Sequence, residues 1–544
     1  MWIGIALLAA VHTAPAPALA QPAGLPPLEV GRTIYVEGRL PSGEPLRGTV
    51  QGDVTLTGDQ ASCASCHRPS GFGSIEGDSV VPPVVGAELY RRKLMGAPET
   101  GRIRTVGPGT RPAYDRDSLV RAIRLGVNPA GRKLDPLMPR FPLSDFDASA
   151  LVTYLESLDP GPSPGVTGSV VHLATILTEN LDPARREALL GTLRAFEADR
   201  NSDTRIEESR RERGSWDSRR EYGSYRKWAL HVWELRGAES SWPAQLEDYY
   251  RLQPVFAVLS GAASGSWQPI HEFCEAKRLP CLFPVTDVPY TAGEGKYTIY
   301  FSRGLALEAE ALAVHLPTSG AAPPRVLQVF REGTDGAFAA AALRRAVAAT
   351  PGTTIVDRPL EPHARLDAGT MAAWIEEHKP SSLVLWLGTP DIAPLASGPG
   401  TGSDLPIYLS ATLLRGGAAD VPAAWRETAL LTYPFGMPEQ VDPRLARPEL
   451  WLKARGVAGE RRARLEAFFA ATMLSEAQRE VRDVFVREYL IERVEHMVDR
   501  SVKTTQYPRL TLGPGERFAS KGCYIVRPAA SGTTVVPVSE WIVP

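Results

Sequence analysis

Cys63-Ala64-Ser65-Cys66-His67 constrains this chain more than any other stretch of it. Two thiols with two residues between them, followed at once by an imidazole, form the attachment signature of a c-type haem. Each thiol can add across one vinyl group of the porphyrin, and the next residue sets its imidazole directly beneath the iron. The segment around the motif must therefore fold about a flat, largely apolar disc. Two other readings of C-x-x-C do not fit. A disulfide-exchange motif should follow a strand in a βαβ setting, whereas the flanks are Thr57-Gly58-Asp59-Gln60 and Arg68-Pro69-Ser70-Gly71. A zinc site needs a second pair of ligands, and among the five cysteines none recurs until Cys274. The expected cofactor is one covalent haem c, held by Cys63 and Cys66, with His67 as the proximal iron ligand.

Covalent haem attachment takes place outside the cytoplasm, so an export signal should exist. Trp2 to Val11 is an apolar run, and Ala18-Leu19-Ala20 before Gln21 fits the small-x-small cleavage rule, so residues 1–20 read as a signal peptide. The departure is that no Lys or Arg precedes the run. No later stretch has about eighteen uninterrupted apolar residues, so no transmembrane segment is expected in the mature chain, which is placed in the periplasm. A net charge of −2 argues against a general nucleic-acid or membrane-surface binder. Charge is uneven locally: residues 91–140 hold twelve basic and four acidic side chains, and residues 21–90 hold four basic and eight acidic. Two readings of the basic stretch stand open. It is either a solvated surface with some arginines on haem propionates, or a face that steers an acidic redox partner.

At 544 residues the chain exceeds what one core usually organises. The clearest boundary is Leu158-Asp159-Pro160-Gly161-Pro162-Ser163-Pro164-Gly165, which cannot continue a helix and favours an extended spacer. The division expected is a haem domain over 29–159, a linker over 160–168, a larger domain over 169–505 and a tail over 506–544 packed on it. Before the linker, Leu143 to Leu158 has helical periodicity, with Ser144 as N-cap and Asp147 three residues on. After it, Val170 to Ile176, Lys227 to Trp233, Pro254 to Ser260 and Pro280 to Phe283 are short apolar runs separated by helical segments. That alternation predicts a parallel sheet with helices on both faces.

A covalently held haem usually takes a sixth ligand as well. The haem domain offers Met95 and Met138, and no second histidine outside the signal peptide. Met138 lies between Pro136 and Pro139, which hold an extended loop. Met95 follows Arg91-Arg92-Lys93-Leu94 in what reads as a helix, where packing is its expected job. Met138 is therefore assigned as the distal iron ligand. Imidazole plus thioether gives a six-coordinate iron of raised potential, suited to one-electron transfer and without a position for peroxide or oxygen. With an early helix at Val30 to Tyr35, the Cys63–His67 motif, the Met138-Pro139 loop and a closing helix bearing Leu151, Tyr154 and Leu155, this segment resembles a class I-type cytochrome c domain. That resemblance implies an all-α fold in which the first and last helices cross. One departure is the insert Leu40 to Ala61 ahead of the motif, whose alternating Val50, Val54 and Leu56 suggest a small hairpin.

The region from Ser169 to Met497 resembles the type I periplasmic binding proteins, which include branched-chain amino-acid receptors of ABC transporters. The resemblance rests on element order and on Phe256 to Trp267, a buried strand ending in a Gly/Ser turn before a helix. It implies a two-lobed α/β domain, its second lobe at about 319–435. Arg325 to Phe330 and Ser382 to Leu387 would be strands of that lobe. It further implies an amino-acid-like ligand held by Ser260, Ser264, Ser266, Thr286 and Asp287, the turn's free N–H groups receiving a carboxylate. Each of these also has a plainer reading as a helix cap or loop residue. Asp335 and Asp391 lie in turns that would face the cleft. Cys274 and Cys281 are candidates for a disulfide in an oxidising compartment, while Cys523 reads as a buried apolar side chain. No catalytic motif is present.

These readings converge on a periplasmic mono-haem c-type cytochrome. Its expected partners are a periplasmic dehydrogenase as donor and a downstream cytochrome or oxidase as acceptor, with the binding-like domain docking a partner or sensing a small molecule. The competing reading is a solute receptor of an ABC-type uptake system carrying an accessory haem.

Overall fold

The chain divides into two compact units, Met1–Gly161 and Pro162–Pro544. The computed structural model describes residues 26–76, 79–91, 93–95, 109–158, 163–213, 226–293, 295–316, 324–348, 352–397, 405–415, 417–481, 484–498 and 504–544. The expected signal peptide and part of the expected linker lie outside the described residues. No helix among the described residues is long and apolar enough to cross a membrane.

In the first unit, α1 (Pro27–Arg32) begins with proline at its first position and continues as a wider turn over Thr33–Glu37, which Gly38 ends in the left-handed region at φ 59°. Its buried side carries Val30, Gly31, Ile34 and Tyr35. Next come the hairpin β1 (Arg47–Val50) and β2 (Val54–Thr57), then α2 (Cys63–His67). Two further ladders, β3 (Ser74–Glu76) with β4 (Ser79–Val81) and β5 (Lys93–Met95) with β6 (Gly109–Arg111), precede α3 (Arg116–Leu125) and α4 (Asp145–Ser157). Ser144 caps α4 as its spacing predicts, accepting from the Asp147 amide at 3.1 Å.

α1 crosses α4 at Gly31. A Cβ there would stand 2.7 Å from the Tyr154 Cβ and press on the Ala150 carbonyl, so the close approach requires glycine. Tyr35 and Tyr154 then pack with ring centroids 5.3 Å apart, over a core containing Leu119, Ile123, Phe141, Leu151 and Leu155.

The unit is not all-helical as expected, because it holds three two-stranded ladders. The first is the hairpin read from the insert. The third takes Met95 into a strand instead of a helix. Gly96 and Pro98 follow in sequence and leave too short a run for helical turns. The Met95 side chain lies outside what the structure describes.

The second unit has two lobes. In the first, β7 (Val170–Thr178), β8 (Lys227–Leu235), β9 (Ala257–Leu259), β10 (Cys281–Leu282) and β11 (Thr298–Ile299) form a parallel sheet of order β11-β10-β9-β7-β8. β7 is buried on both faces. Val171, Leu173 and Leu177 join one core, and Ala174 and Ile176 join the other. Helices α5 (Pro183–Arg213), α6 (Trp242–Leu252) and α7 (Gln268–Ala276) connect these strands.

The chain then crosses to the second lobe. After α8 (Leu305–His315), the strands β12 (Arg325–Arg331), β13 (Thr354–Leu360), β14 (Ser382–Trp386), β15 (Ile407–Ser410) and β16 (Ala429–Tyr433) run parallel, with α9 (Asp335–Ala348) following β12. The chain returns through α10 (Pro438–Ala454), α11 (Arg461–Val481) and α12 (Arg487–Met497), of which α11 and α12 complete the first lobe's core. It crosses a third time to add β17 (Tyr524–Pro528) and β18 (Val535–Pro537), antiparallel, beside β16. The tail thus serves both lobes, Tyr507, Leu510 and Ala519 in the first core and β17 and β18 in the second sheet.

Candidate haem site and lobe cleft

The haem motif lies on one short helix. The Ser62 hydroxyl accepts from the Ser65 amide at 3.2 Å and donates to the Asp59 carbonyl at 2.8 Å, which fixes the start of α2. Cys63 and Cys66 are three residues apart and His67 four beyond Cys63, so the turn brings the three side chains to neighbouring positions. Both thiols are free, Cys63 half-buried and Cys66 exposed. The His67 ring is buried, and its Nδ1 lies 2.9 Å from the Pro82 carbonyl oxygen. A carbonyl only accepts, so Nδ1 carries the proton and Nε2 keeps its lone pair. Burial pushes the imidazole pKa down, which favours the neutral form that binds metal. The end of the motif is tied to α1, because the Tyr35 hydroxyl donates to the Arg68 carbonyl at 2.8 Å. Met138 is half-buried, packs against the same core as Cys63, and donates its amide to the Asp135 carbonyl at 3.0 Å.

In the second unit most of the residues expected to hold a ligand have partners within the protein. Ser260 is fully buried with φ 55°, and its Oγ has no hydrogen-bond partner among the described residues. The Ser264 amide donates to Thr178 Oγ1 at 3.0 Å, the Ser266 amide to the Glu239 carboxylate at 3.3 Å, and the Trp267 amide to the Val288 carbonyl at 3.1 Å. The Ser264, Ser266 and Trp267 amides are thus taken by the protein itself, with the Glu239 carboxylate on that of Ser266. Thr286 Oγ1 accepts from the Val288 amide at 3.2 Å.

Asp287 is buried between two guanidiniums, Arg185 at 3.0 Å and Arg462 at 2.7 Å. Burial alone would push its carboxyl up, but the two charges reverse that and hold it well below the usual carboxylate range. Arg185 also donates to Glu460 at 2.7 Å, and Arg462 to Glu466 at 2.8 Å. At the start of α9 in the other lobe, Asp335 is pushed up to about 6 by burial and then by the Asp287 charge. Asp391 pairs with Arg331. Arg415 bridges to Asp182 at 3.0 Å between the lobes.

The expected Cys274–Cys281 disulfide is not formed in this structure. Both are free, fully buried thiols, and burial followed by the neighbouring Cys281 thiol pushes Cys274 well above the ordinary range. Thiolate is the attacking form, so that environment opposes oxidation.

Residues 57–159 match the family model described as Cytochrome c. This stretch is a cytochrome c domain. For the larger unit, a fatty acid ABC transporter substrate-binding protein from Thermomonospora curvata aligns with 71% of this chain and 95% of its own, at 17% identity and TM-score 0.51. That likeness shows the fold of a type I periplasmic binding protein. A branched-chain amino acid ABC transporter from Thermus thermophilus, solved with bound valine, aligns with 70% of this chain and 98% of its own at 15% identity and TM-score 0.49. Comparison with curated protein sequences returns no match.

The side chains of the cytochrome domain fit a haem. Two free thiols precede a buried imidazole on one short helix, its Nδ1 committed to a carbonyl, and a thioether shares the core. Sequence reasoning missed Pro82, whose carbonyl orients His67; its only trace is the Pro82-Pro83 pair that ends β4. It also missed Arg185, Glu239 and Arg462, which look like ordinary exposed charges on helical stretches.

Proposed function

We propose that the protein is a periplasmic mono-haem c-type cytochrome that carries single electrons between a donor dehydrogenase and a downstream cytochrome or oxidase. In this reading Cys63 and Cys66 hold the haem covalently, and His67 and Met138 are its axial ligands. The observation that carries it is the buried His67 ring, whose Nδ1 is spent on Pro82 so that only Nε2 is left to bind, one residue after Cys66. A haem so ligated supplies reversible one-electron chemistry at raised potential. The chain's part is to fix the tautomer of His67, enclose the apolar face and keep Met138 in place.

The binding-protein-like unit, in this reading, docks a redox partner. Support comes from its cleft, where Glu239 occupies the turn amide and Arg185 and Arg462 neutralise Asp287, leaving an amino-acid zwitterion without those partners.

The test uses protein exported from a host that matures c-type haem. A visible spectrum with the weak near-infrared thioether band of the ferric form, rapid oxidation of the reduced protein by a periplasmic acceptor, and calorimetric silence toward leucine and valine are expected. A colourless product would remove the electron-carrier reading. Micromolar binding of a branched-chain amino acid would restore the receptor reading.

A further inference from the structure

We propose that the insert ahead of the haem motif is a clamp on the Met138 loop, with Arg140 as its second jaw, and that the two together set how firmly Met138 holds iron. This rests on the reading of Met138 as an axial ligand.

The loop around Met138 is poor in structure of its own. Pro136 and Pro139 have no amide to donate, and within it two amides turn back on Asp135, Met138 to its carbonyl at 3.0 Å and Leu137 to its Oδ1 at 2.9 Å. Its remaining order comes from outside. Thr49 on β1 exchanges two backbone bonds with Arg140, at 3.0 and 2.9 Å, so the strand after Met138 adds to the hairpin as a third member. At the hairpin turn the Gln51 amide donates to the Pro136 carbonyl at 3.1 Å. The insert therefore grips the loop on both sides of Met138.

The fit is close as well as bonded. A Cβ on Gly48 would stand 2.7 Å from the Phe141 ring and 2.9 Å from the Pro139 Cβ, so the strand lies on the loop only because residue 48 has no side chain. From the other side the Arg140 guanidinium folds back under the loop. It donates to the Met138 carbonyl, and Nη2 lies 3.5 Å from the Leu134 carbonyl and 3.4 Å from that of Asp135. It rests on Gly126, where no Cβ would fit. Residue 138 is thus pinned at its amide by Asp135 and at its carbonyl by Arg140.

A thioether is a neutral and weak donor, so where the loop holds the sulfur matters more than for an imidazole. Interactions one shell out from a metal ligand orient it and tune the metal. Loosening the clamp should increase the share of molecules in which the sulfur has left and an outside ligand can enter.

The experiment measures two properties of the matured ferric protein: the near-infrared thioether band, and the affinity for added imidazole. The variants are Arg140→Ala, Arg140→Lys, Gly48→Ala and Gly48→Val, with Lys133→Ala as an exposed neighbouring control. We expect Arg140→Ala and Gly48→Val to weaken the band and to raise imidazole affinity by roughly tenfold or more, following the population of the opened state. Arg140→Lys and Gly48→Ala should fall between these and the wild type, and they carry the test if the stronger variants fail to mature. Lys133→Ala should match the wild type. Unchanged band and imidazole affinity in folded Arg140 and Gly48 variants would overturn the clamp while leaving Met138 as ligand. A wild-type protein without the band would overturn the ligand assignment itself, and the clamp with it.

Discussion

Asp287→Asn in the full chain tests the reading of the lobe cleft most sharply. The Asp287, Arg185 and Arg462 side chains are only 7, 4 and 11% exposed, with oxygen–nitrogen separations of 3.0 and 2.7 Å. The substitution keeps the shape and removes one negative charge. Arg185 would keep Glu460, and Arg462 would keep Glu466, but the group would hold one buried anion fewer for the same two cations. Removing one partner of a buried pair costs about 3–5 kcal/mol, because the remaining charge stays desolvated. The assay is urea unfolding of the full chain, followed by tryptophan fluorescence. The exposed pair Lys521–Glu516, at 2.6 Å with side chains 39 and 45% exposed, is the control, and Glu516→Gln should cost no more than about 1 kcal/mol. The sign with pH is fixed. A carboxyl held below its ordinary range stabilises the fold above its unfolded value near 4, and loses that contribution only as pH falls through its lower folded value. The penalty of Asp287→Asn should therefore be flat between about pH 6 and 9. A loss no larger than that of the exposed control would refute the account of a neutralised cleft.

Glu308, buried on α8 and accepting from Thr432 Oγ1 at 2.5 Å, is pushed up to about 7 by burial. A raised carboxyl favours the protonated fold, so stability should fall as pH rises from its unfolded value near 4.5 through about 7, and Glu308→Gln should abolish that part of the pH profile in urea titrations. We expect Cys274 and Cys281 to oxidise to a bridge only slowly. Thiol titration of denatured holoprotein should count three free thiols before strong oxidation and one, Cys523, after it. A count of one in freshly exported protein would mean that burial does not protect the pair. Gly31→Ala should push α1 from α4, costing about 1–3 kcal/mol as an overpacked contact. An unchanged unfolding midpoint would show that the crossing has room to spare.

What the sequence made legible was whatever a few adjacent residues decide. Cys63 to His67 announces its chemistry locally, Ser144 with Asp147 announces a helix start, and Val50, Val54 and Leu56 announce a hairpin. The alternation of strand and helix after residue 169 was enough for a parallel α/β unit. Met95 was misread because Arg91 to Met95 has helical composition and too few residues for the periodicity to count. The cleft residues Ser264, Ser266 and Asp287 were correctly placed at strand ends and turns, but their partners come from far along the chain. Arg462 is 175 residues from Asp287, and nothing in Glu460-Arg461-Arg462 marks one arginine as buried and its neighbour as half exposed. Glu239 likewise meets Ser266 only once two helices have packed.

The pairing of Tyr433 with Tyr524 has a bearing on how the larger unit comes to be folded at all. β16 leaves the synthesis machinery long before β17 does, and three whole helices of the opposite lobe are made in between. Until then one border of the second sheet is bare, with the unsatisfied amides and carbonyls that invite pairing with another chain. Ladders of such large sequence separation form late and slowly. A polypeptide interrupted between Tyr433 and Tyr524 should thus retain its first unit yet be sticky and short-lived in the rest.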